Sequence, residues 1–141
     1  MKFPMPLLFI LILNSNFASD KQNKCIINLL NEIVMATFEN AKVFSMEGSI
    51  EYSSGGVISK QVLKKKSGNV TLFSFDKDQG LTEHTSPFDA MVHVLDGVAE
   101  IRIDGEPHIL NAGECIIMPA TVPHALHAVE PFKMVLTMIK Q

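Results

Sequence analysis

The stretch "GLTEHTSPFDAMVHVLDG" (residues 80–97) joins a polar segment that carries His84 to an apolar run closed by Gly97. The run "AMVHVLD" (90–96) has the length and the β-branched content of a strand. Glycine at its end supplies backbone angles that other residues adopt at a cost. We therefore predict a β-strand here, with His84 lying shortly before it.

A second stretch, "GECIIMPATVPHALHA" (residues 113–128), has a similar construction. Pro119 and Pro123 bracket "ATV", and proline cannot donate a hydrogen bond to a neighbouring strand. The chain must therefore leave the sheet between them. His124 follows directly and opens the next apolar run.

Eight short runs of this β type follow Val43, with no room for helical crossovers between them. This spacing favours an antiparallel sandwich or barrel. The runs are "VISKQVL" (57–63), "NVTLFSF" (69–75), "AMVHVLD" (90–96), "VAEIRI" (98–103), "PHIL" (107–110), "ECIIM" (114–118), "HALHAV" (124–129) and "FKMVLTMI" (132–139). Asp104-Gly105 predicts a two-residue type I′ hairpin between the fourth and fifth runs.

The first stretch resembles the first signature motif of the cupin superfamily, whose members are small jelly-roll β-barrels. That motif has the form Gly, His-x-His, Glu, Gly. Here His84 stands at the first histidine position and Ser86 at the second, whereas Ala90 occupies the glutamate position and Gly97 the closing glycine.

The second stretch resembles the second cupin motif. Gly113, Pro119 and His124 are in register, while Thr121 replaces a glycine and Ala128 an asparagine. The resemblance extends over about residues 60–139. It implies an all-β fold, an antiparallel jelly-roll β-barrel over residues 44–141.

In the cupin pattern, three histidines and a glutamate bind one divalent metal, and such donors suit iron, manganese, nickel or zinc. This chain keeps only His84 and His124 of the four. Asp89 is a candidate third ligand if a bulge turns it inward, although strict alternation directs it away from the side of Ala90. The resemblance thus leaves open a weakly held metal or none.

The resemblance also implies a pocket inside the barrel. Its inward residues are His84, Ser86, Ala90, Val92 and His124. A mostly apolar pocket with a few convergent polar groups is typical of small-molecule sites.

Three further histidines and one glutamate of the β-rich region are not assigned to the pocket. His93 and His127 lie an odd number of residues from inward positions, which indicates packing or interface roles. His108 and Glu83 are predicted to face solvent.

Three functions stay open at this point. The first is a small cupin that binds a small molecule, with or without a weakly held metal. The second is a metal-dependent cupin enzyme of the dioxygenase, isomerase or decarboxylase type. The third is a structural or interaction protein without a ligand. Strands with apolar residues on both faces, such as 90–95 and 132–139, favour a homodimer that covers the outer sheet.

The N-terminal residues have a different character. Residues 1–19 have the layout of a secretory signal, with an apolar run too short to span a membrane. This predicts export, the alternative being a cytoplasmic protein. Residues 20–43 form an extension in which apolar residues recur at helical spacing from Cys25 to about Ala41, which predicts one amphipathic helix. Cys25 and Cys115 are expected to be unpaired thiols.

Composition excludes other classes. The chain has 47% hydrophobic and 19% charged residues, which is too apolar for a disordered protein. The net charge is −3, and the single basic run, Lys64–Lys66, lacks aromatic partners. We therefore expect no nucleic-acid partner.

Overall fold

Nine β-strands form two antiparallel sheets in residues 38–140, the part of the chain that the computed structural model describes. A 3₁₀ turn, Glu47–Ser49, precedes them. The strands are β1 (Val57–Lys65), β2 (Gly68–Phe75), β3 (Gly80–His84), β4 (Asp89–Asp96), β5 (Val98–Ile103), β6 (Glu106–Asn111), β7 (Cys115–Met118), β8 (His124–Ala128) and β9 (Phe132–Ile139). One sheet has the order β1-β2-β9-β4-β7 and the other β3-β8-β5-β6. The predicted all-β antiparallel architecture is confirmed.

The main hydrophobic core lies between the two sheets, where alternate residues of each strand point inward. Val92 and Val94 of β4 and Ile101 of β5 are fully buried in it. Phe75 and Phe132 stack with their ring centroids 4.6 Å apart. The neighbouring strands β2 and β9 are thus joined by aromatic packing as well as by backbone hydrogen bonds.

The predicted hairpin at Asp104-Gly105 is present between β5 and β6. Asp104 has φ 52° and Gly105 φ 82°, both in the left-handed region that a type I′ turn requires. Ile103 pairs with Glu106, so the loop has two residues as expected.

Strand β3 was not predicted from the alternation of apolar and polar residues in the sequence. Of its residues only Leu81 is shielded from solvent, and the other four are exposed. An edge strand with so little burial leaves no apolar period in the sequence. Its position depends on pairing with β8.

The segment before β1 packs on the outer face of the five-stranded sheet. Ile50 is fully buried there, in a second cluster with Leu72 and Val135. Lys133 is 8% exposed, and its Nζ donates a hydrogen bond to the carbonyl oxygen of Glu47 at 3.0 Å. The chain therefore covers part of the face for which we predicted a partner.

Another part of the same sheet is open. Met91 of β4 and Ile117 of β7 are cross-strand partners with side chains 40% and 63% exposed. The homodimer stays a prediction. If it forms through this sheet, Met91 and Ile117 would lie in its interface.

The predictions for the N-terminal region concern mostly residues outside the described range 38–140. Residues 1–19 and most of the helix expected over 25–41 lie there. Of that helix only residues 38–41 are described, and they form a bend and a turn in which Ala41 has φ 58°. In the part of the chain that is described, no helix has the length and hydropathy needed to cross a bilayer.

Asp76 ties the end of β2 to the turn that precedes β1. Its carboxylate accepts hydrogen bonds from the backbone N–H groups of Gly55 at 2.6 Å and of Lys77 at 2.9 Å. These two bonds lower the pKa of Asp76 below its ordinary value of 3.8.

Replacing Asp76 with asparagine is expected to lower the free energy of unfolding at neutral pH. A carboxylate whose pKa is lowered by folding contributes stability above its unfolded pKa and loses it as pH falls through the folded pKa. The gap between wild type and D76N in urea unfolding should thus be present at about pH 6 and close towards about pH 2. An equal gap at both values would contradict this assignment.

Candidate functional site

A cavity of about 130 Å³ lies between the two sheets, in the lumen of the barrel. Both sheets contribute to its wall, and most of the side chains are apolar. The lining residues are Leu81, His84, Ser86, Ala90, Met118, His124, Leu126, Met134, Leu136 and Met138. Four of the five residues that the sequence placed in a pocket, His84, Ser86, Ala90 and His124, line this cavity together.

His84 and His124 face each other in the cavity. They are cross-strand partners on β3 and β8, and their ring centroids lie 4.5 Å apart in a T-shaped arrangement. His124 is 3% exposed, whereas His84 is exposed to solvent. The pair therefore extends from the protein surface into the lumen.

The same backbone contact orients both imidazoles. Nδ1 of His84 lies 2.8 Å from the carbonyl oxygen of Thr82, and Nδ1 of His124 lies 2.9 Å from that of Val122. A carbonyl oxygen only accepts hydrogen bonds, so each Nδ1 carries the proton. A ring in this tautomer has its lone pair on Nε2, and within residues 38–140 neither Nε2 makes a hydrogen bond.

A β-bulge directs His84 into the cavity. Leu81 pairs with Leu126 and His84 with His124, so three steps along β3 match two along β8. Without the extra residue, alternation from Leu81 would turn His84 outward. Bulges commonly re-aim a side chain next to a functional site in this way.

The loop after β3 is fastened to the loop before β8. The backbone N–H of Thr121 donates to the carbonyl oxygen of Ser86 at 2.7 Å. Thr121 has φ 66°, a conformation that favours glycine. The Oγ of Ser86 accepts a hydrogen bond from the N–H of Phe88 at 3.2 Å, which fixes this hydroxyl at the cavity wall.

Two residues considered for the site lie elsewhere. Val92 is fully buried in the core and does not line the cavity. Asp89 is exposed, and its Oδ1 accepts a hydrogen bond from the N–H of Ala120 at 2.9 Å. This carboxylate therefore stabilises the loop between β7 and β8.

The other histidines are outside the cavity. His93 is half-buried on β4, opposite Cys115 of the edge strand β7. His127 is exposed, with its Nε2 4.0 Å from Asp78. His108 and Glu83 are exposed, and Cys115 is an exposed free thiol.

Sequence reasoning missed the methionines of the site. Met134 and Met138 share the inward face of β9 with Leu136, and Met118 ends β7. Their period of two in "FKMVLTMI" was a usable signal for a common face. It did not indicate which of the inward residues reach the cavity.

The fold and the motifs agree with a known family. The family model described as a cupin domain matches residues 71–140, which include both histidines of the cavity. The chain belongs to the cupin superfamily. No curated protein matches it.

Solved cupin-fold structures are similar to most of the chain. A conserved protein of unknown function from Streptococcus pyogenes is 41% identical with a TM-score of 0.70, over 73% of this chain and 90% of that one. A cupin 2 conserved barrel domain protein from Leptotrichia buccalis is 39% identical with a TM-score of 0.67, over 69% of this chain and 47% of that one. A cupin superfamily protein from Desulfitobacterium hafniense has a TM-score of 0.70 at 22% identity, over 74% of this chain and 96% of that one, and shows the fold alone.

The donor set does not fit the divalent metal of the cupin pattern. Among residues 38–140, no group of three or more His, Cys, Asp and Glu side chains could hold a metal ion. Catalytic zinc normally has three protein ligands, and iron, manganese and nickel sites likewise use carboxylates with imidazoles. Ala90 supplies no oxygen at the glutamate position, and Asp89 is held outside the cavity.

Proposed function

We propose that this cupin binds a small, mostly apolar molecule in the barrel lumen and holds it by hydrogen bonds to His84 and His124. One observation carries the proposal: two imidazoles in the same cavity both have Nδ1 bonded to the backbone and Nε2 without a partner in the described chain. Two lone pairs in an apolar cavity favour a ligand with hydrogen-bond donors.

Cavity size supports a ligand with about the bulk of one aromatic ring. An engineered cavity of about 150 Å³ in another protein binds benzene, and this one has about 130 Å³. The ring would contact the leucine and methionine side chains of the wall. Its donor groups would point towards the two Nε2 atoms.

Resorcinol, phenol and benzene are suitable probes because they differ in the number of hydroxyl donors. We expect metal-free protein to bind them in this order, with about fivefold between neighbours, since a net hydrogen bond is worth about 1 kcal/mol. Titration followed by two-dimensional NMR gives the affinities. Replacing either His84 or His124 with alanine should remove the advantage of resorcinol over phenol, and replacing both should also remove the advantage of phenol over benzene.

A matched control is His108→Ala, which removes an exposed histidine from a strand outside the cavity. This variant should bind all three probes as wild type does. Equal affinity for benzene and resorcinol, or unchanged affinity in both cavity variants, would refute the proposed function. Thermal unfolding of each variant verifies that it is folded.

A further inference from the structure

Methionine side chains bring sulfur atoms to the cavity wall. Three of the eight methionines, Met118, Met134 and Met138, line it together with the two histidines. Met118 and Met134 are 3% and 1% exposed. A thioether is a soft, uncharged metal ligand, and Cu(I) is among the ions that soft sulfur ligands favour.

Strand register brings two of these methionines to the position where the cupin pattern has its glutamate. Ala90 on β4 pairs with Met118 on β7 at one side and with Met138 on β9 at the other. Residues directly opposite in an antiparallel sheet have Cβ atoms about 4.5–5.5 Å apart and point to the same face. Ala90 stands between these two methionines, and all three residues line the cavity.

From this juxtaposition we propose that the lumen binds a soft monovalent cation, Cu(I) or Ag(I). The ligands are Nε2 of His84 and His124 and the sulfur atoms of Met118 and Met138. The proposal rests on the proposed function only in using the same cavity as the binding site.

The charge of the donor set supports a monovalent ion. Two neutral imidazoles and two thioethers bring no negative charge, and the remaining wall is mostly apolar. Burying a charge that has no counter-charge is costly, and the cost is larger for a divalent ion than for a monovalent one. A hard divalent ion would also lack the carboxylate oxygens it prefers.

The experiment measures Cu(I) affinity by competition with a chromophoric Cu(I) chelator, without oxygen. Both cysteines are replaced by serine in every variant, because a thiolate binds Cu(I) by itself. We expect about one Cu(I) per chain, and X-ray absorption with both nitrogen and sulfur neighbours. Zn²⁺ and Mn²⁺ should not compete.

Met118→Leu with Met138→Leu keeps the side-chain volume and removes both sulfur atoms. This double variant should bind Cu(I) at least about 100-fold more weakly, since even a residue that only supports a ligand is worth about 10- to 100-fold in metal affinity. Met91→Leu is the matched control, because Met91 lies on β4 but faces solvent and is 40% exposed. Its affinity should equal that of wild type.

Methionine also fills irregular gaps in cores, and the test separates the two roles. Unchanged Cu(I) affinity in the double leucine variant, or Zn²⁺ bound as tightly as Cu(I), would overturn the inference. Titrating resorcinol into the same preparations distinguishes the two proposals. If resorcinol binds through the histidines while Cu(I) does not bind, the inference fails and the proposed function stands; if neither binds, both fail.

Discussion

Replacing Gly97 with alanine is expected to lower the free energy of unfolding by more than about 3 kcal/mol and to leave most of the protein insoluble. Gly97 lies between β4 and β5 with φ 77°. A Cβ atom there would stand 1.8 Å from the backbone carbonyl oxygen of Pro131. The next residue, Phe132, is fully buried against Phe75, so the backbone cannot move away without disturbing the core.

Gly105→Ala separates the clash from the cost of the backbone angle. Gly105 has φ 82° but has no atom within 4 Å of the added Cβ. The Gly105→Ala variant should lose only about 1 kcal/mol of the free energy of unfolding, which is the usual cost of a left-handed conformation for alanine. Urea unfolding of both variants measures the difference. Similar urea midpoints for the two variants would show that the contact with Pro131 is not the reason why position 97 requires glycine.

Restoring the cupin ligands with Ser86→His and Ala90→Glu is expected to create a divalent metal site. The double variant would present three imidazoles and one carboxylate to the cavity that His84 and His124 already line. Such a set suits iron, manganese, nickel or zinc. Elemental analysis after dialysis should find about one equivalent in the variant and far less in wild type.

Ser86→His with Ala90→Gln is the control for this gain. Glutamine has nearly the size of glutamate but brings no negative charge, so metal retention should fall well below that of the glutamate variant. A glutamate variant that is folded yet retains no more metal than wild type would contradict the expected geometry. It would mean that residues 86 and 90 do not point at a common centre with the two histidines.

Much of the barrel could be predicted from local patterns. All eight predicted runs correspond to strands, because each has an apolar period or a run that a strand buries. The hairpin at Asp104-Gly105 was predictable because few residues other than glycine, asparagine and aspartate adopt positive φ easily. Pro119 and Pro123 likewise predicted the break between β7 and β8.

Other elements depended on contacts between distant residues. Strand β3 exists because β8 offers it hydrogen bonds, and its own residues are mostly exposed. Ile50 gave no sign in the sequence that its segment would pack on Leu72 and Val135. Such packing is decided by which surface lies nearby, which no local pattern specifies.

For the candidate site, the sequence by itself determined the chemical groups: two histidines in cupin register, and alanine in place of the glutamate. Only the tertiary structure decided how they meet. The bulge in β3 turns His84 towards His124, and the pairing of β4 with β7 and β9 puts Met118 and Met138 beside Ala90. The physical reason is that residue types are local, whereas the register between strands is fixed by the packing of the whole barrel.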